Sequence, residues 1–191
     1  MPNWCNNTLN ISHEDPAMIA RAKKAYAEGK LLEEFVPFPT GEWDWNFCVN
    51  EWGTKWDIGG GDAHMVDQDA NGVVFNFDSA WAPPTAAYAK LMEQGFKILA
   101  YYYEPGMAFC GKWDNGSDDY YEYDGMTADE IEAMLPDDLD ETFDISGQVA
   151  EWEAEQEEEN LDIDLDSGLS ATNEQDSDNL DIDVNNTGGK W

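Results

Sequence analysis

The hexapeptide Gly72-Val73-Val74-Phe75-Asn76-Phe77 decides the fold. Its apolar side chains recur at every second residue, a period typical of a β-strand with one face against a core. Pro83-Pro84 follows, and a proline at the start of a segment favours a helix, here predicted over 85–94 and ended by Gly95. Residues 96–103 are predicted to form the next strand. The hexapeptide therefore opens a strand–helix–strand unit.

The residues before the hexapeptide form a similar unit. We predict a strand over 3–12, a helix over 17–27 that Asp15 caps, and a strand over 54–58. A short helix is predicted over 43–52, and the loop Gly59-Gly60-Gly61 joins the strand at 54–58 to the hexapeptide. This loop lacks the lysine and the spacing of a phosphate-binding motif.

The residues after this unit extend the predicted sheet. Residues 107–113 return as a hairpin partner of the strand at 96–103, and residues 120–123 are predicted to add an edge. The core order is strand, helix, strand, strand, helix, strand. This order predicts an α+β fold of the ferredoxin-like, split βαβ type, with an antiparallel sheet and two helices on one face.

Charge divides the chain into two parts. Residues 1–113 hold 15 acids and eight bases, whereas residues 114–191 hold 27 acids and one base, Lys190, within a total net charge of −33. Such a polyanion repels nucleic acids and anionic membranes and attracts basic surfaces, which belong mostly to nucleic-acid-binding proteins. The alternative is that the acidity serves solubility alone, as in halophilic or marine proteins.

The predicted organisation has three parts. A ferredoxin-like domain spans 1–125, an acidic helical extension spans 126–159, and a disordered acidic tail spans 160–191. Thr127 and Glu130 form a capping box for a helix in the extension, and residues 146–159 are compatible with another helix. The tail holds many acidic and small polar residues and no aromatic residue before Trp191, a composition typical of disorder.

A seven-residue pattern occurs twice in the tail, at 160–166 and 179–185. Apolar and acidic residues alternate in it, so an extended chain would present one apolar edge. This format is typical of a docking peptide that adds a strand to a partner's sheet. A solvated low-complexity tail is the alternative. The apolar residues of the docking motif are Leu161, Ile163, Leu165, Leu180, Ile182 and Val184.

Five stretches of the first 113 residues follow one another as Pro2–Leu9, Phe35–Pro39, Asn50–Asp57, Phe77–Pro84 and Glu104–Gly111. Together they resemble the YubB-like ferredoxin-domain proteins of phages and conjugative plasmids. The resemblance implies a ferredoxin-like fold without an iron–sulfur cluster, and no agreed activity. It also implies cargo of a mobile element, a class that often blocks restriction, CRISPR or other defences. The acidic C-terminal part departs from the family pattern.

Catalytic and metal chemistry find little support in the sequence. The two histidines, His13 and His64, are isolated, and no nucleophile–base signature is present. Cys5, Cys48 and Cys110 are too far apart for a zinc or iron–sulfur motif, and we expect buried free thiols. The repeated tail pattern lacks the glycine and the glutamate of a calcium-binding loop. We therefore predict no catalytic residue, no metal and no cofactor.

Aromatic residues are abundant, and two interpretations are open for them. Trp43, Trp45, Trp52 and Trp56 lie within 14 residues, and exposed tryptophans would be strong binding residues. We expect most of them to be buried in the core. Core packing also explains the sheet aromatics better than base stacking does, because no basic patch accompanies them. They are Trp56, Phe75, Phe77, Tyr101 and Tyr103.

The leading hypothesis is a non-enzymatic accessory protein of a phage or mobile element. It would inhibit a nucleic-acid-binding host or defence protein, such as a restriction, CRISPR or related nuclease, by acidic nucleic-acid mimicry. The expected partner is basic and bacterial, without direct nucleic-acid or membrane contact. The candidate contact residues are Asp118, Asp119, Glu122, Asp124, Asp137, Asp138, Asp140, Glu141, Glu151, Glu153, Glu155, Glu157, Glu158 and Glu159.

Two other functions stay open. In the first, the protein is a docking or scaffold protein, whose folded domain binds a partner or a small nucleotide ligand and whose tail repeat recruits a second protein. In the second, it is an enzyme that acts through the loop 59–64 and Glu104. The N-terminal residues do not resemble a signal peptide and no apolar run approaches the length of a membrane span, which predicts a cytoplasmic location.

Overall fold

The computed structural model describes residues 3–61 and 64–172. Within these residues six β-strands form one antiparallel sheet with the order β2-β3-β1-β4-β5-β6. The strands are β1 (Trp4–Ser12), β2 (His64–Asp67), β3 (Gly72–Ala80), β4 (Lys97–Glu104), β5 (Phe109–Asp114) and β6 (Ser117–Glu122).

The described helices lie between and after these strands. They are α1 (Pro16–Ala27), α2 (Leu31–Phe35), α3 (Trp45–Phe47), α4 (Thr85–Glu93), α5 (Ala128–Met134), α6 (Asp137–Phe143) and α7 (Ile145–Thr172). A π-helical turn, Cys48–Trp52, continues α3. None of the helices in the described part of the chain has the length and apolar character needed to cross a membrane.

The strand order confirms the predicted fold class. The order β2-β3-β1-β4, with α1 following β1 and α4 following β3, is the ferredoxin-like arrangement. The hairpin partner β5 and the edge strand β6 then extend the sheet beyond β4, as predicted. The protein is therefore an α+β protein with a six-stranded antiparallel sheet.

One predicted strand is wrong. Residues 54–58 form no strand, and the second strand is β2, ten residues further on. The hydroxyl of Thr54 donates to the carbonyl of Ala80 and accepts from its N–H, which fixes an irregular segment beside β3. Gly59 then packs against α1, because the N–H of the next residue donates to the carbonyl of Tyr26. Side-chain anchoring, rather than strand pairing, explains why this segment is partly buried.

The main core lies between one face of the sheet and helices α1 and α4. Leu9 and Phe75 are fully buried there, and the ring of Tyr26 stacks on that of Phe75 with 4.1 Å between centroids. Trp52 joins this core and donates its indole N–H to the carbonyl of Val36. Alternate residues of β1 point into this core, as its two-residue period requires.

Helices α5 and α6 form a second, smaller core on the other face of the sheet. Ile131 and Leu139 are fully buried, and the ring of Phe143 stacks on Tyr103 of β4 at 5.6 Å. The capping box of Thr127 and Glu130 begins α5 as predicted. These helices belong to the folded unit, because they cover apolar groups of the sheet.

The chain divides into two compact units, 1–146 and 147–191, so the boundary predicted after residue 125 moves to 146. In the second unit α7 continues to Thr172, beyond the predicted helix end at 159. The sequence predicts disorder from residue 160, and the structure describes 160–172 as part of this helix. Each residue added to an existing helix gains one hydrogen bond for one residue fixed, so extending a helix is less costly than starting one. Residues 173–191 lie outside the described residues.

Candidate functional site

The exposed tryptophans correct one prediction. Of the four tryptophans between 43 and 56, Trp52 is buried, whereas Trp43, Trp45 and Trp56 are 56%, 51% and 39% exposed. The expectation that most of them are buried is wrong. The short helix α3 contributes no buried residue and the π-helical turn buries only Cys48 and Trp52. Of these four tryptophans, therefore, one is buried in the core and three are exposed at the surface.

Two exposed tryptophans border a groove of about 580 Å³. The rings of Trp4 and Trp56 lie 5.8 Å apart with a tilt of 38° between their planes. Trp4 begins β1, and Trp56 comes from the irregular segment beside β3. Residues of β1 and β3, the first residue of β2, the segment 56–59 and the end of α6 complete the lining. We call this cavity the tryptophan groove.

Polar side chains from β1 and β3 form the floor of the tryptophan groove. Asn6 pairs across the strands with Asp78, and its side-chain amide donates to Oδ1 of that residue at 2.6 Å. One step along, the hydroxyl of Thr8 donates to Oδ1 of Asn76 at 3.0 Å. Among the described residues no hydrogen-bond donor reaches Oδ2 of Asp78. The floor therefore keeps a carboxylate oxygen for another donor.

Asn7 supports the same part of the sheet from the core side. Its side-chain N–H group donates to the carbonyl of Cys5 at 2.7 Å and to the hydroxyl of Ser79 at 2.8 Å. Its Oδ1 is buried and has no partner in the part of the chain that the structure describes. An unpaired buried acceptor costs free energy, so the fold carries a desolvation cost beside the groove.

Asp57 lines the groove, but its carboxylate is hydrogen-bonded to backbone N–H groups. Its carboxylate accepts the N–H groups of Leu32 and Glu33 at the start of α2 and that of Ile58. Burial raises the pKa of Asp57 above its usual value, although these hydrogen bonds oppose the shift. Lys55 places its Nζ 4.6 Å from the ring centre of Trp56, a cation–π contact.

Trp81 directly follows β3 and has a strained backbone. Its φ angle is 74°, a left-handed conformation that is uncommon for bulky residues. Its N–H donates to the carbonyl of Asn3, and its side chain is 54% exposed. A strained, exposed tryptophan next to the strand end that carries Trp4 marks this end of the sheet as a candidate site.

The predicted acidic residues lie on several elements. Asp118, Asp119 and Glu122 are exposed on β6, and Asp124 follows it. Asp137, Asp138 and Glu141 are exposed on α6, where Asp140 is partly buried. On α7 the residues Glu151, Glu155, Glu157 and Glu158 are exposed and Glu153 is partly buried, while Glu159 is placed by its backbone alone.

Four of these acids have partners within the fold. Glu122 accepts the hydroxyl of Tyr120 at 3.3 Å. Asp118 accepts the hydroxyl of Tyr102 at 2.7 Å. Asp138 accepts from Tyr101 and Lys112, and Asp140 accepts the N–H and the hydroxyl of Ser146. These carboxylates hold the folded unit together, which leaves the remaining acids as the better candidates for an external partner.

The docking motif is only partly within the described residues. The backbone of Leu161, Ile163 and Leu165 lies in α7, and the strand that this first copy would add to a partner's sheet stays a prediction. The second copy, Leu180, Ile182 and Val184, lies outside the described residues.

The residues of the enzyme hypothesis that the structure describes lie apart from one another. His64 lines the tryptophan groove, but the carboxylate of Glu104 accepts the N–H groups of Gly106 and Met107 in the β4–β5 turn and does not line that groove. His13 contacts the carbonyl of Gln94 and the ring of Phe96. The described residues contain no group of three metal-ligating side chains.

The cysteines are free and buried, as predicted. Burial raises the pKa of both Cys5 and Cys110 to about 12, and it also raises the pKa of Cys48. A nucleophilic cysteine needs a thiolate at neutral pH. These thiols are therefore suited to packing rather than to catalysis.

Comparisons with known proteins do not identify a family for this chain. No protein-family model and no curated protein matches the chain. A solved structure of the protein api92 from Yersinia pseudotuberculosis, assigned to the DUF1281 family model, shares 21% identity and a TM-score of 0.36. The match covers 48% of this chain and 39% of that one. The resemblance to the YubB-like family stays a prediction.

Proposed function

We propose that this protein is a binding protein that occupies the nucleic-acid site of a basic partner by presenting carboxylates in place of phosphates. The observation that carries the proposal is the exposure of acids on α7 in a segment, 114–172, that contains no lysine or arginine. Without internal bases, these carboxylates remain available for cations supplied by a partner.

The geometry of α7 supports this role. Glu151, Glu155 and Glu158 recur at intervals of four and three residues, so they share one face of the helix. A rise of about 1.5 Å per residue spaces them roughly 6 and 4.5 Å along the axis. One DNA strand carries a charge every 3.4 Å or so. The helix thus offers a regular row of charges whose axial spacing is about one and a half times that of the phosphates on one DNA strand.

The class of partner follows from chemistry and from the family resemblance. A basic groove that accepts DNA or RNA also attracts this surface. The resemblance to mobile-element proteins suggests a restriction enzyme, a CRISPR complex or a related nuclease of a bacterial host, met in the cytoplasm. No catalytic step is required, since occupancy of the groove is sufficient for inhibition.

The test uses the full chain on beads in a bacterial lysate, with the captured proteins identified by mass spectrometry. Each captured nucleic-acid-binding protein is then purified and its affinity measured against salt concentration. We expect the affinity to fall steeply with salt and a 20-base-pair DNA duplex to displace the protein. Binding that DNA does not displace would contradict the proposal.

A matched pair of variants locates the interaction. The triple variant Glu151→Gln, Glu155→Gln and Glu158→Gln removes three charges from α7. The control Glu14→Gln, Glu42→Gln and Glu93→Gln removes three exposed charges elsewhere. We expect the α7 variant to reduce the slope of log affinity against log salt by up to about one per charge. The control should change it far less, and equal effects would point to net charge alone.

A docking function is the second candidate, favoured by the tryptophan groove. Exposed tryptophans are frequent at the centres of protein interfaces, and Trp4 and Trp56 border a cavity of suitable size. A nucleotide ligand fits less well, because the groove contains carboxylates of Asp57 and Asp78 and the chain is strongly anionic. Binding of the same partner by residues 1–146 alone would favour this candidate.

A further inference from the structure

The tryptophan groove combines an aromatic platform with a carboxylate on one face of the sheet. Trp4 pairs with Ala80 and Asp78 pairs with Asn6, so Trp4 and Asp78 are diagonal neighbours across β1 and β3. Diagonal neighbours in an antiparallel pair lie about 7–8 Å apart, within reach of one ligand group. The groove therefore presents a flat apolar surface and a hydrogen-bond acceptor to the same space.

The charge of the groove favours a cation. Its lining includes the carboxylates of Asp57 and Asp78 and no lysine or arginine among the described residues. Oδ2 of Asp78 has no donor among the described residues. Trp is the aromatic residue that binds cations best, and Lys55 already lies over the ring of Trp56. No cation among the described residues lies over the ring of Trp4, which leaves that ring available.

We propose that the tryptophan groove receives an arginine side chain of a basic protein partner, with the guanidinium group stacked on Trp4 and hydrogen-bonded to Asp78. A guanidinium group is planar, stacks on aromatic rings and donates in a fork that matches a carboxylate. An ammonium group is compact and strongly hydrated, and it gains less from the flat platform. The groove accordingly discriminates arginine from lysine.

This inference deepens the proposed function, since it rests on a basic protein as the partner. The two surfaces have different roles. The acids of α7 attract any positive charge and are screened by salt. The groove supplies a preference for one cation type that charge alone does not give. Arginine preference and salt dependence can therefore be measured separately.

The test compares hexa-arginine and hexa-lysine peptides, which carry the same number of side-chain charges, on the full-length protein by calorimetry. We expect hexa-arginine to bind at least fivefold more tightly at the same salt concentration. Asp78→Asn and, separately, Trp4→Leu should bring the ratio of the two affinities close to one. The control Asp119→Asn, an exposed acid on β6, should weaken both peptides equally and leave the ratio unchanged.

The outcomes separate the two proposals. A ratio near one in the unaltered protein, or a ratio that survives both groove variants, would overturn the arginine site and leave the role of α7 intact. A persistent arginine preference with no loss in the triple α7 variant would support the groove and contradict mimicry. Thermal unfolding by circular dichroism confirms that each variant is folded. Because Asp78 is exposed, Asp78→Asn remains informative if Trp4→Leu unfolds.

Discussion

Lys112 on β5 and Asp138 on α6 are joined by an ion pair, with 2.5 Å between Nζ and Oδ2. The hydroxyl of Tyr101 on β4 donates to the same oxygen at 2.8 Å. These contacts fasten α6 to the sheet. The same acid is one of those predicted to contact a partner, so its carboxylate has a structural use that the sequence did not reveal.

The pair predicts a pH-dependent contribution to stability. The hydrogen bonds from Lys112 and Tyr101 lower the pKa of Asp138. Its contribution is therefore present above the unfolded-state pKa of about 3.9. It is lost as the pH falls through the folded-state value. Asp138→Asn should cost up to about 1 kcal/mol at pH 7, as exposed pairs do.

Urea unfolding at pH 7 and at pH 3 measures this difference. The loss caused by Asp138→Asn should shrink at the lower pH. Asp124→Asn, at an exposed acid beyond β6, is the control and should change little at either pH. An equal loss from Asp138→Asn at both pH values would contradict the role of the charge.

Truncation should reveal where the folded unit ends. A chain of residues 1–146 retains Ile131 and Leu139, both fully buried, whereas a chain of residues 1–125 loses them and uncovers Tyr103. Removing one such side chain typically costs about 2–5 kcal/mol. We expect the shorter chain to unfold at a clearly lower urea concentration. Identical midpoints would mean that α5 and α6 add no stability.

Two glycines in one loop should respond differently to alanine. Gly59 has a φ of 96°, and a Cβ there would lie 2.2 Å from the carbonyl oxygen of Tyr26. Gly61 has a φ of 55° and open space around it. Gly61→Ala should cost about 1 kcal/mol for its conformation, and Gly59→Ala considerably more. Thermal unfolding measures both, and equal losses would refute the steric effect.

At Trp81, where the backbone is strained, we expect glycine to give a more stable protein than alanine does. A left-handed φ costs a non-glycine residue about 1 kcal/mol or more. Trp81→Gly should therefore be more stable than Trp81→Ala by roughly that amount, since both lose the same indole ring. Chemical denaturation of the two variants measures the difference. An alanine variant at least as stable as the glycine variant would show that this backbone is not strained.

The cysteines should be unreactive until the protein unfolds. Burial raises the pKa of Cys5 and Cys110 to about 12, so little thiolate exists at pH 8. We expect no reaction with an aromatic disulfide reagent in the native state and three equivalents after denaturation in urea. Fast labelling of a single native thiol would contradict the burial of that residue.

The sequence predicted the elements with clear local signals. The alternation in β3 and the proline before α4 placed them within a few residues of their ends. The strand predicted over 54–58 is wrong because Thr54 hydrogen-bonds to the distant residue Ala80. An alternating sequence pattern cannot distinguish residues held by such contacts from residues of a strand. Charge density predicts disorder over 160–172, where the structure describes the end of α7, because composition carries no information on helix length.

The candidate site was harder to predict than the fold. The sequence marked the tryptophans but gave no way to tell Trp52 from Trp56, because burial depends on which face of a short helix or loop meets the core. The groove also needs Trp4 beside Trp56, residues 52 positions apart whose rings meet through the sheet. The acidic candidates were evident from composition, whereas the internal partners of Asp118 and Asp140 were not.

Strand β6 closes the sheet on one side with acidic side chains along its exposed length. An uncovered strand can template addition of another chain, and charged residues there prevent it. At neutral pH the carboxylates of Asp119 and Glu122 make two such edges repel each other. Neutral residues in their place would remove this protection while the backbone donors and acceptors remained. Edge-to-edge self-assembly is therefore the hazard that these charges hold back.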